Sequence, residues 1–333
     1  MRVDVYSAFV LKDILQSYSS LQFSECIRDV GEIQLTFTDR NIYMNINNIS
    51  DFLVVNGNAY MVENKHKTDT KDLKQYEITG RHITNMLSWR CVKGFEVSVG
   101  ETYENACLRL VDENFINPIV AKRQFENFTS KANGFTEVNT IKRKYEPNDC
   151  LSILKYIGKL GGFGFRLDYD IENKQFVFQC VKVTDRSQTV IFGDKFNNIS
   201  ETDIYEETTD YMNVAYLYKE ETDTETESYT EYGDTTAIGI NRREYVEKGS
   251  DVENLLEGLA EKNKLTSAEF VIRQSEQYEY KKDYFLGDTV LLIDYDSNLS
   301  TAKPIEKITH FYEKSYEMEI AYGDTIPTIF TKK

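Results

Sequence analysis

The C-terminal third of the chain carries the pattern that most limits its fold. Three runs of strand length, rich in β-branched and aromatic residues, follow one another at 284–293, 303–311 and 316–323. Turn residues stand at Gly287-Asp288 inside the first run and at 296–298 after it. Such a series predicts antiparallel strands joined by short connections. We therefore expect a small antiparallel barrel in this region, in which Gly287-Asp288 shapes a turn and carries no chemistry.

The N-terminal part repeats this pattern. Strand patterns occur at 2–10, 18–28, 31–37, 52–55, 59–63 and 75–80. Ile33, Leu35 and Phe37 alternate with polar residues and therefore share one face. Asn56-Gly57-Asn58 between two of the runs predicts a hairpin turn. So many strands in a short stretch predict a barrel or a sandwich.

Helical spacing sets the middle of the chain apart. Ile83, Met86, Leu87 and Arg90 recur at helical intervals and predict a short helix that caps the first β module. Thr102 is the expected cap of an amphipathic helix that follows it. Further patterns predict helices at 101–111, 149–160 and 252–262, a hairpin at 163–170 and 175–181, and strands at 189–192 and 211–218.

These elements predict a mainly β fold with an α+β insert. A length of 333 residues allows two or three domains and a sizeable core. We predict a first β-barrel domain at 1–95, a smaller α+β domain at 96–188 and a second β-barrel domain at 189–333, with boundaries that shift if a domain is discontinuous. The two β modules hint at an internal repeat, although no clear sequence repeat accompanies them.

The charge balance excludes one class of partner. The chain carries 55 acidic and 39 basic side chains, for a net charge of −16. An acidic protein repels a polyanion, so a surface that grips DNA or RNA is not expected. Two interpretations remain, namely solubility and a surface that stays free of nucleic acid. The stretch 219–234 has seven carboxylates and one lysine, which predicts an exposed hairpin or loop.

The cysteines and the N-terminus indicate a reducing compartment. Five cysteines without a CxxC pair predict neither a disulfide framework nor a structural zinc site. They are expected to be small buried apolar residues. The N-terminus lacks a signal core, and no apolar run is long enough for a membrane helix. We therefore expect synthesis in the cytoplasm and no integral membrane segment.

Two motifs imitate ligand sites but have the wrong spacing. The glycines at 158–164 follow a predicted helix, so a helix stop explains them better than a phosphate loop. The run 294–298 copies the start of a calcium loop, but Leu299 and Ile305 stand where glycine and glutamate are required. The run 168–170 fails in the same way. Both acidic runs are expected to be strand ends that lead into turns.

No catalytic motif is present in the sequence. The three histidines are His66, His82 and His310, and neither HExxH nor GxSxG occurs. His82 is expected to be a structural group at the start of the short helix. Cys–His chemistry and a glycosidase-like carboxylate pair stay open, because both depend on spatial arrangement. We predict no catalytic, cofactor-binding or metal-binding residue, no cofactor and no enzymatic activity.

Short segments along nearly the whole chain carry a family resemblance. They are Gly31-Glu32-Ile33-Gln34-Leu35, Tyr60-Met61-Val62-Glu63, Gly80-Arg81 with Leu87 and Arg90, Gly162-Phe163-Gly164-Phe165, Asp185-Arg186-Ser187, Phe196-Asn197-Asn198-Ile199, Tyr211-Met212-Asn213-Val214-Ala215, Arg242-Arg243-Glu244 and Phe285-Leu286-Gly287-Asp288-Thr289-Val290. Taken in this order, they resemble the siphophage tail hub family, also called tail-associated lysins (Tal). That family is related to baseplate hub proteins of phage tails and of tail-like bacteriocins.

The resemblance implies a homotrimeric hub that closes the distal end of a tail tube. In such hubs, two tube-like β-barrel domains per subunit give the trimer pseudo-sixfold symmetry, which matches the hexameric rings above it. The implied partners are the distal tail protein, the tail tube and tape-measure proteins, and a fibre or puncturing-tip protein. The implied location is the virion tail, assembled in the bacterial host cytoplasm. DNA would pass the lumen without specific binding, and carboxylates on the wall would keep it from sticking.

Alternatives to this hub stay open. Family hubs often carry a C-terminal fibre-like or peptidoglycan-cleaving extension, and the end of this chain at Lys333 leads us to expect none. One alternative is a tail-associated enzyme that cleaves peptidoglycan or another glycan. Another is a module that binds host glycans, suggested by the 23 tyrosines. An infecting phage, a prophage and a tail-like bacteriocin are equally compatible with the sequence.

Overall fold

A computed structural model describes residues 1–71, 74–220, 227–248, 252–272, 277–313 and 315–323. Strands account for 49% of the structure and helices for 18%. The predicted fold class, mainly β with a small helical insert, is confirmed.

Strands follow one another along most of the chain. The first seven are β1 (Val3–Ser7), β2 (Val10–Leu15), β3 (Ser20–Cys26), β4 (Glu32–Phe37), β5 (Asp51–Val55), β6 (Asn58–Asp69) and β7 (Lys74–His82). The next eight are β8 (Cys91–Val92), β9 (Phe95–Val97), β10 (Phe128–Lys131), β11 (Arg143–Tyr145), β12 (Asn148–Asp149), β13 (Gly164–Asp170), β14 (Gln175–Val181) and β15 (Ile191–Gly193). The last eight are β16 (Ile199–Glu207), β17 (Val214–Glu220), β18 (Glu227–Gly233), β19 (Glu244–Lys248), β20 (Leu265–Ile272), β21 (Thr289–Asp294), β22 (Leu299–Tyr312) and β23 (Tyr316–Gly323).

Helices are fewer and mostly short. The α-helices are α1 (Arg40–Asn45), α2 (Tyr103–Val111), α3 (Cys150–Leu160) and α4 (Val252–Glu261). Single turns of 3₁₀ helix occur at Ala121–Arg123, Asp194–Phe196 and Gly239–Asn241, a longer one at Ile83–Trp89, and a π-helical turn at Asp112–Ile116. The short helix predicted from residue 83 is therefore confirmed, in its 3₁₀ form.

The chain divides into two compact units. Unit 1 comprises Met1–Thr202 and Glu269–Tyr322. Unit 2 is built on Asp203–Ala268. The chain leaves unit 1 within β16 and returns to it within β20.

One large sheet dominates unit 1. Its strands follow the order β23-β22-β3-β4-β7-β6-β5-β1-β2, and each neighbouring pair is antiparallel. β21 pairs with the first half of β22, and β15 lies parallel to β21. Within the part of the chain that the structure describes, this sheet does not close on itself. The predicted closure into two separate barrels was wrong.

β22 joins strands from the two ends of the chain into one sheet. Its residues Leu299–Pro304 pair with β21, and its residues from Lys307 onward pair with β3 on one side and β23 on the other. The strand has 14 residues, more than twice the usual length of about 5–6. Because side-chain alternation specifies a strand's faces but not its neighbours, the sequence pattern did not show that the C-terminal strands extend the N-terminal sheet.

The apolar side of this sheet forms a core. Ile33, Leu35 and Phe37 are each at most 2% exposed, as their alternation predicts. They pack in one cluster with Leu21, Phe23, Leu53, Tyr60, Tyr76 and Ile78. Full burial of one such side chain stabilises the fold by about 1.5–3 kcal/mol, so the alternating pattern fixes which side faces inward.

Of two turns between the N-terminal strands, the residue types predict one and do not predict the other. Asn56 and Gly57 have φ values of 51° and 80°, as a hairpin turn with two left-handed residues requires, and the predicted hairpin is confirmed. The single strand predicted at 2–10 was wrong, because a turn at Ala8-Phe9 separates β1 from β2. No turn residue marks this place. The Phe9 amide donates to the Tyr169 hydroxyl at 2.9 Å, and the two rings stack 4.6 Å apart.

The helical insert lies within unit 1, and its helices begin where the sequence predicts. The Thr102 hydroxyl accepts a hydrogen bond from the Asn105 amide at 3.1 Å, and the Asp149 carboxylate accepts one from the Ser152 amide at 3.0 Å. α3 ends at Gly161, which confirms the glycine run as a helix stop. β13 and β14 form the predicted hairpin, and their apolar side chains share a core with α2 and α3.

One buried carboxylate positions a loop of the insert. Glu104 on α2 is 2% exposed. Its two oxygens accept backbone N–H groups from Asn133 at 2.6 Å, Gly134 at 2.8 Å and Phe135 at 2.8 Å. Three donors to one carboxylate satisfy the buried charge and hold the loop after β10 against the helix. Nothing in the sequence pattern had indicated this contact.

Unit 2 is a three-stranded sheet covered by one helix. β17 lies between β18, which is antiparallel to it, and β19, which is parallel. Leu255 of α4 packs on Ala215 and Leu217. The β17–β18 pair confirms a hairpin in the acidic stretch 219–234, whose middle, 221–226, lies outside the described residues.

Candidate functional site

The outward side of the unit 1 sheet carries an acidic polar surface. Glu32 and Gln34 alternate with buried Ile33 and Leu35, and the strand register places Gln34 between Gln22 and Thr79. The same side continues across β22 and β23, where Glu201 of β16 and Glu269 of β20 lie close enough to Glu319 to raise its pKa. We call it the acidic sheet face, and it comprises Gln22, Glu32, Gln34, Glu63, Asn64, Glu77, Thr79, Arg81, Glu201, Glu269, Lys307, Thr309, Glu317 and Glu319.

The charges on this surface do not balance. It holds seven glutamates, while Arg81 and Lys307 are its cations among the residues the structure describes. The Arg81 guanidinium Nε lies 3.0 and 2.8 Å from the two carboxylate oxygens of Glu63, so this cation is already neutralised. Gln34 donates to the Glu77 carboxylate at 3.2 Å. The remaining carboxylates leave the surface negative.

Three carboxylates lie close together around Glu319. Partial burial and the nearby carboxylates of Glu269 and Glu201 raise the pKa of Glu319, and Lys307 only partly opposes them. Carboxylates that disfavour one another's ionisation mark a place where an approaching anion is repelled. This side of the sheet therefore repels anions that approach it.

An open groove of about 420 Å³ crosses the acidic sheet face. Its walls include Glu32, Glu63, Asn64 and Thr79, and its floor includes Gly80. These groups accept and donate hydrogen bonds. Among the described residues, no group of three histidine, cysteine or carboxylate side chains is arranged to hold a metal ion. The surface is suited to repelling anions and to hydration.

A second concave feature, which we call the unit 1 cavity, has a volume of about 400 Å³. Its lining is largely apolar on one side, with polar groups at the rim. The lining includes Glu25, Ile27, Asn56, Ala59, His82, Phe165, Arg166, Leu167, Asp168, Tyr280, Lys281 and Phe285.

His310 beside this cavity is fully engaged. It is 1% exposed, its Nε2 donates to the Glu25 carboxylate at 3.1 Å, and its Nδ1 lies 2.9 Å from the Tyr316 hydroxyl. Burial opposes ionisation of Glu25, but the His310 hydrogen bond and the Lys281 charge outweigh it and lower the Glu25 pKa. This network ties β22 and β23 to β3. His66, by contrast, is exposed on β6.

His82 occupies the position that the sequence predicts. Its Nδ1 accepts a hydrogen bond from the Thr84 amide at 3.2 Å and so caps the 3₁₀ helix Ile83–Trp89. The structural interpretation is confirmed. Burial lowers the pKa of His82 to about 4, because the charged imidazolium loses its hydration.

This cap predicts a pH dependence of stability. His82 binds a proton less tightly in the folded than in the unfolded chain, so its contribution is complete above about pH 6.5 and is lost as the pH falls toward 4. Asparagine also caps helices but does not titrate. We expect His82→Asn to reduce the slope of unfolding free energy between pH 6.5 and 4.5 by up to about 1.4 kcal/mol per pH unit. Urea unfolding across this range measures it, and identical slopes in both proteins would contradict it.

The calcium-like runs and the cysteines are structural. Asp294 ends β21, and Asn298, with φ of 54°, completes the turn into β22, so the hairpin interpretation is confirmed. Cys107, Cys150 and Cys180 are buried as expected. Cys26 is half-buried, and Cys91 is exposed on the two-residue strand β8, so the prediction of burial was wrong for Cys91 and only partly met by Cys26.

Sequence reasoning missed the acidic sheet face. The signal was present within each strand, where Glu32 and Glu77 alternate with apolar residues. The sequence does not give the strand register that brings these distant strands together in one sheet. In the described residues, no helix is long and apolar enough to cross a membrane.

Comparison with known proteins decides the family. A family model described as Siphovirus ReqiPepy6 Gp37-like protein matches residues 7–324. The chain belongs to this siphovirus family. A comparison with curated proteins gives no significant match.

Solved structures show the fold that this Gp37-like chain shares. The tail protein of Neisseria meningitidis MC58 superposes with a TM-score of 0.61 at 14% identity, covering 97% of this chain and 96% of that one. Prophage tail protein gp18 of Listeria monocytogenes EGD-e gives 0.60 at 13%, covering 96% and 94%. The 43 kDa tail protein of prophage MuSo2 from Shewanella oneidensis gives 0.60 at 11%, covering 97% and 98%.

These similarities run over almost the full length of both chains. At such low identities they establish the fold and not a shared site. The resemblance to phage tail proteins predicted from the sequence is confirmed by family and by fold. Family membership and the shared fold are the two findings on which a functional proposal rests.

Proposed function

We propose that this chain is a structural baseplate hub, which forms a homotrimeric ring at the distal end of a phage tail tube. Membership of a siphovirus family over residues 7–324 and the tail-protein fold support the proposal. The acidic sheet face is the main structural observation in support of this proposal, because the channel of a tail must let DNA pass without binding the DNA.

In this proposal the acidic sheet face lines the channel. Surface charges act over about 8 Å at physiological ionic strength, so carboxylates repel DNA only if they stand along its path. Seven glutamates on one side of one sheet provide such a wall. Glutamine and threonine side chains between them stay hydrated and offer DNA phosphates no cation to pair with.

The hub acts without catalysis. His310 and Glu25, a histidine–carboxylate pair in the interior of the fold, are held in a buried network that leaves no imidazole nitrogen free for a substrate. The proposed partners are the distal tail protein, the tail tube and tape-measure proteins, and a fibre or puncturing tip. The proposed place is the virion tail, after assembly in the host cytoplasm. The division at 1–95, 96–188 and 189–333 stays a prediction.

Light scattering and imaging test the ring. We expect the purified protein, alone or with the distal tail protein, to reach three times the chain mass of 38.8 kDa and to show threefold symmetry. A monomer that joins no tail assembly would overturn the hub.

Charge reversal tests the channel wall. We expect the wild-type ring not to retain double-stranded DNA. The triple variant Glu32→Lys/Glu77→Lys/Glu319→Lys is expected to bind DNA, with an affinity that falls steeply between about 50 and 200 mM salt. Mobility-shift assays measure this, and particles carrying the variant should eject DNA more slowly.

The matched control places the same reversals elsewhere in unit 1. Glu126, Glu146 and Glu172 are exposed on the insert. Their three lysine variants combined are expected to leave ejection unchanged. If both triple variants retain DNA and slow ejection equally, overall charge explains the effect and the assignment of the channel wall is wrong.

A further inference from the structure

The loop between β18 and β19 in unit 2 presents two isoleucines to solvent. Ile238 is 80% and Ile240 is 93% exposed. Gly239, with φ of 59°, stands between them and begins a single 3₁₀ turn. Two aliphatic side chains at one loop tip leave apolar surface in water, and burial in a contact would remove that surface from water.

Side chains from the same unit hold this tip in one shape. The Asp234 carboxylate accepts from the Thr236 amide at 3.2 Å and from its hydroxyl at 2.7 Å. Asn213 donates its side-chain amide to the Asn241 carbonyl at 2.9 Å, and Arg242 donates to the Ala237 carbonyl at 3.3 Å. A loop fixed before binding loses little conformational entropy on binding, so the isoleucines form a prepared anchor.

The unit 1 cavity has the complementary properties. Its volume of about 400 Å³ lies within the range of small-molecule binding cavities. Ile27, Phe165 and Leu167 line its apolar side. The charges at its rim are paired, because Lys281 lies 3.4 Å from Glu25, Arg166 lies 2.8 Å from Asp168 and Lys155 lies 2.5 Å from Asp29. The cavity therefore suits an uncharged aliphatic occupant.

We propose that the tip 238–240 of one subunit seats in the unit 1 cavity of a second copy of this chain. The proposal rests on the proposed homotrimer and names its contact. With a net charge of −16, two copies repel one another over most of their surfaces. The tip residues 235–241 carry no charge, and the rim charges of the cavity are neutralised in pairs. Two copies can therefore meet at this contact without electrostatic repulsion.

The geometry of such a contact leads to a ring. Tip and cavity are different surfaces, so each subunit donates one and receives the other. A head-to-tail contact of this kind closes into a ring when its rotation permits, as a trimer requires. A buried aliphatic pair at the centre of a contact is the type of anchor that dominates binding energy.

Sedimentation of single variants tests the contact. We expect Ile240→Asp to weaken self-association by at least about tenfold with an unchanged unfolding midpoint, because a charge replaces the aliphatic anchor. Ile49→Asp is the matched control, because Ile49 is 92% exposed in unit 1 and its variant should assemble like the wild type. Equal assembly of the Ile240→Asp variant and the wild type would overturn the contact.

A cross-link provides a second, independent measurement. Asn56 lines the cavity. In a chain whose Cys26 and Cys91 are replaced by serine, we expect Asn56→Cys combined with Ile240→Cys to form disulfides between chains on mild oxidation, giving dimer and trimer bands on a non-reducing gel. Bands of monomer mass only would overturn the proposal. If wild-type rings persist while these tests fail, the hub stands and this contact is wrong. If the wild type forms no ring, the hub fails as well.

Discussion

Replacing Gly80 with alanine is expected to prevent stable folding of unit 1. An alanine Cβ at this position would lie 1.7 Å from the Met61 carbonyl oxygen and 2.9 Å from its carbon. The obstacle is backbone, so no side chain can rotate away. The register of β6 and β7 shifts at this point, between Val62 and Asn64, which brings the two strands unusually close. We expect a loss of more than about 4 kcal/mol.

Urea unfolding followed by near-ultraviolet circular dichroism measures this loss. Gly57→Asn is the control, because nothing lies within 4 Å of a Cβ there and asparagine tolerates its φ of 80°. It should change stability by less than about 1 kcal/mol. An unfolding midpoint of Gly80→Ala equal to that of the wild type would show that the close approach does not exist.

Removing the Asp288 carboxylate is expected to have the next largest effect. Asp288 is 2% exposed, and its oxygens accept from the Arg186 guanidinium at 2.6 Å, the Phe285 amide at 3.0 Å and the Thr184 amide at 3.2 Å. It holds the segment before β15 against the turn before β21. Breaking a buried charged pair costs about 3–5 kcal/mol, and we expect Asp288→Ala to fall in that range.

Two comparisons separate this effect from a general loss of charge. Asp296→Ala removes an exposed aspartate in the β21–β22 turn and should cost less than about 0.5 kcal/mol. Arg186→Ala should cost less than Asp288→Ala, while the double variant should cost little more than Asp288→Ala alone, because the two side chains share one interaction. Additive losses in a thermal or urea unfolding series would contradict this account.

The structure shows which features a sequence of this kind reveals. The cap at Thr102, the helix over 149–160, the turn at Asn56-Gly57 and the helix stop at Gly161 were all predicted correctly, because each depends on residues a few positions apart. Gly287-Asp288 was also correctly assigned a shaping role. The contacts of Asp288 with Arg186 and Thr184 were not predicted, because these two residues lie about a hundred positions away in the sequence.

Features set by distant pairing were not predictable. The turn at Ala8-Phe9 depends on Tyr169, so local residue preferences predicted an unbroken strand. The pairing of β22 with β3 turned two expected barrels into one open sheet. The acidic sheet face was not predictable for the same reason, because it forms only when β22 pairs with β3. Alternation places Glu32 and Glu319 outward on their own strands, but only the sheet order shows that they look in the same direction.

The course of β22 also determines when a growing chain can complete its fold. Ile308 pairs with Glu25, so the two partners are separated by about 280 residues of synthesis. At roughly 5–20 residues per second, β3 waits on the order of 15 to 60 seconds on the ribosome for its neighbour. During that time one edge of β3 stays open, and an open strand edge invites pairing with other chains. In the proposed hub, rings should therefore assemble only from finished chains, so that prematurely terminated subunits stay out of the assembly.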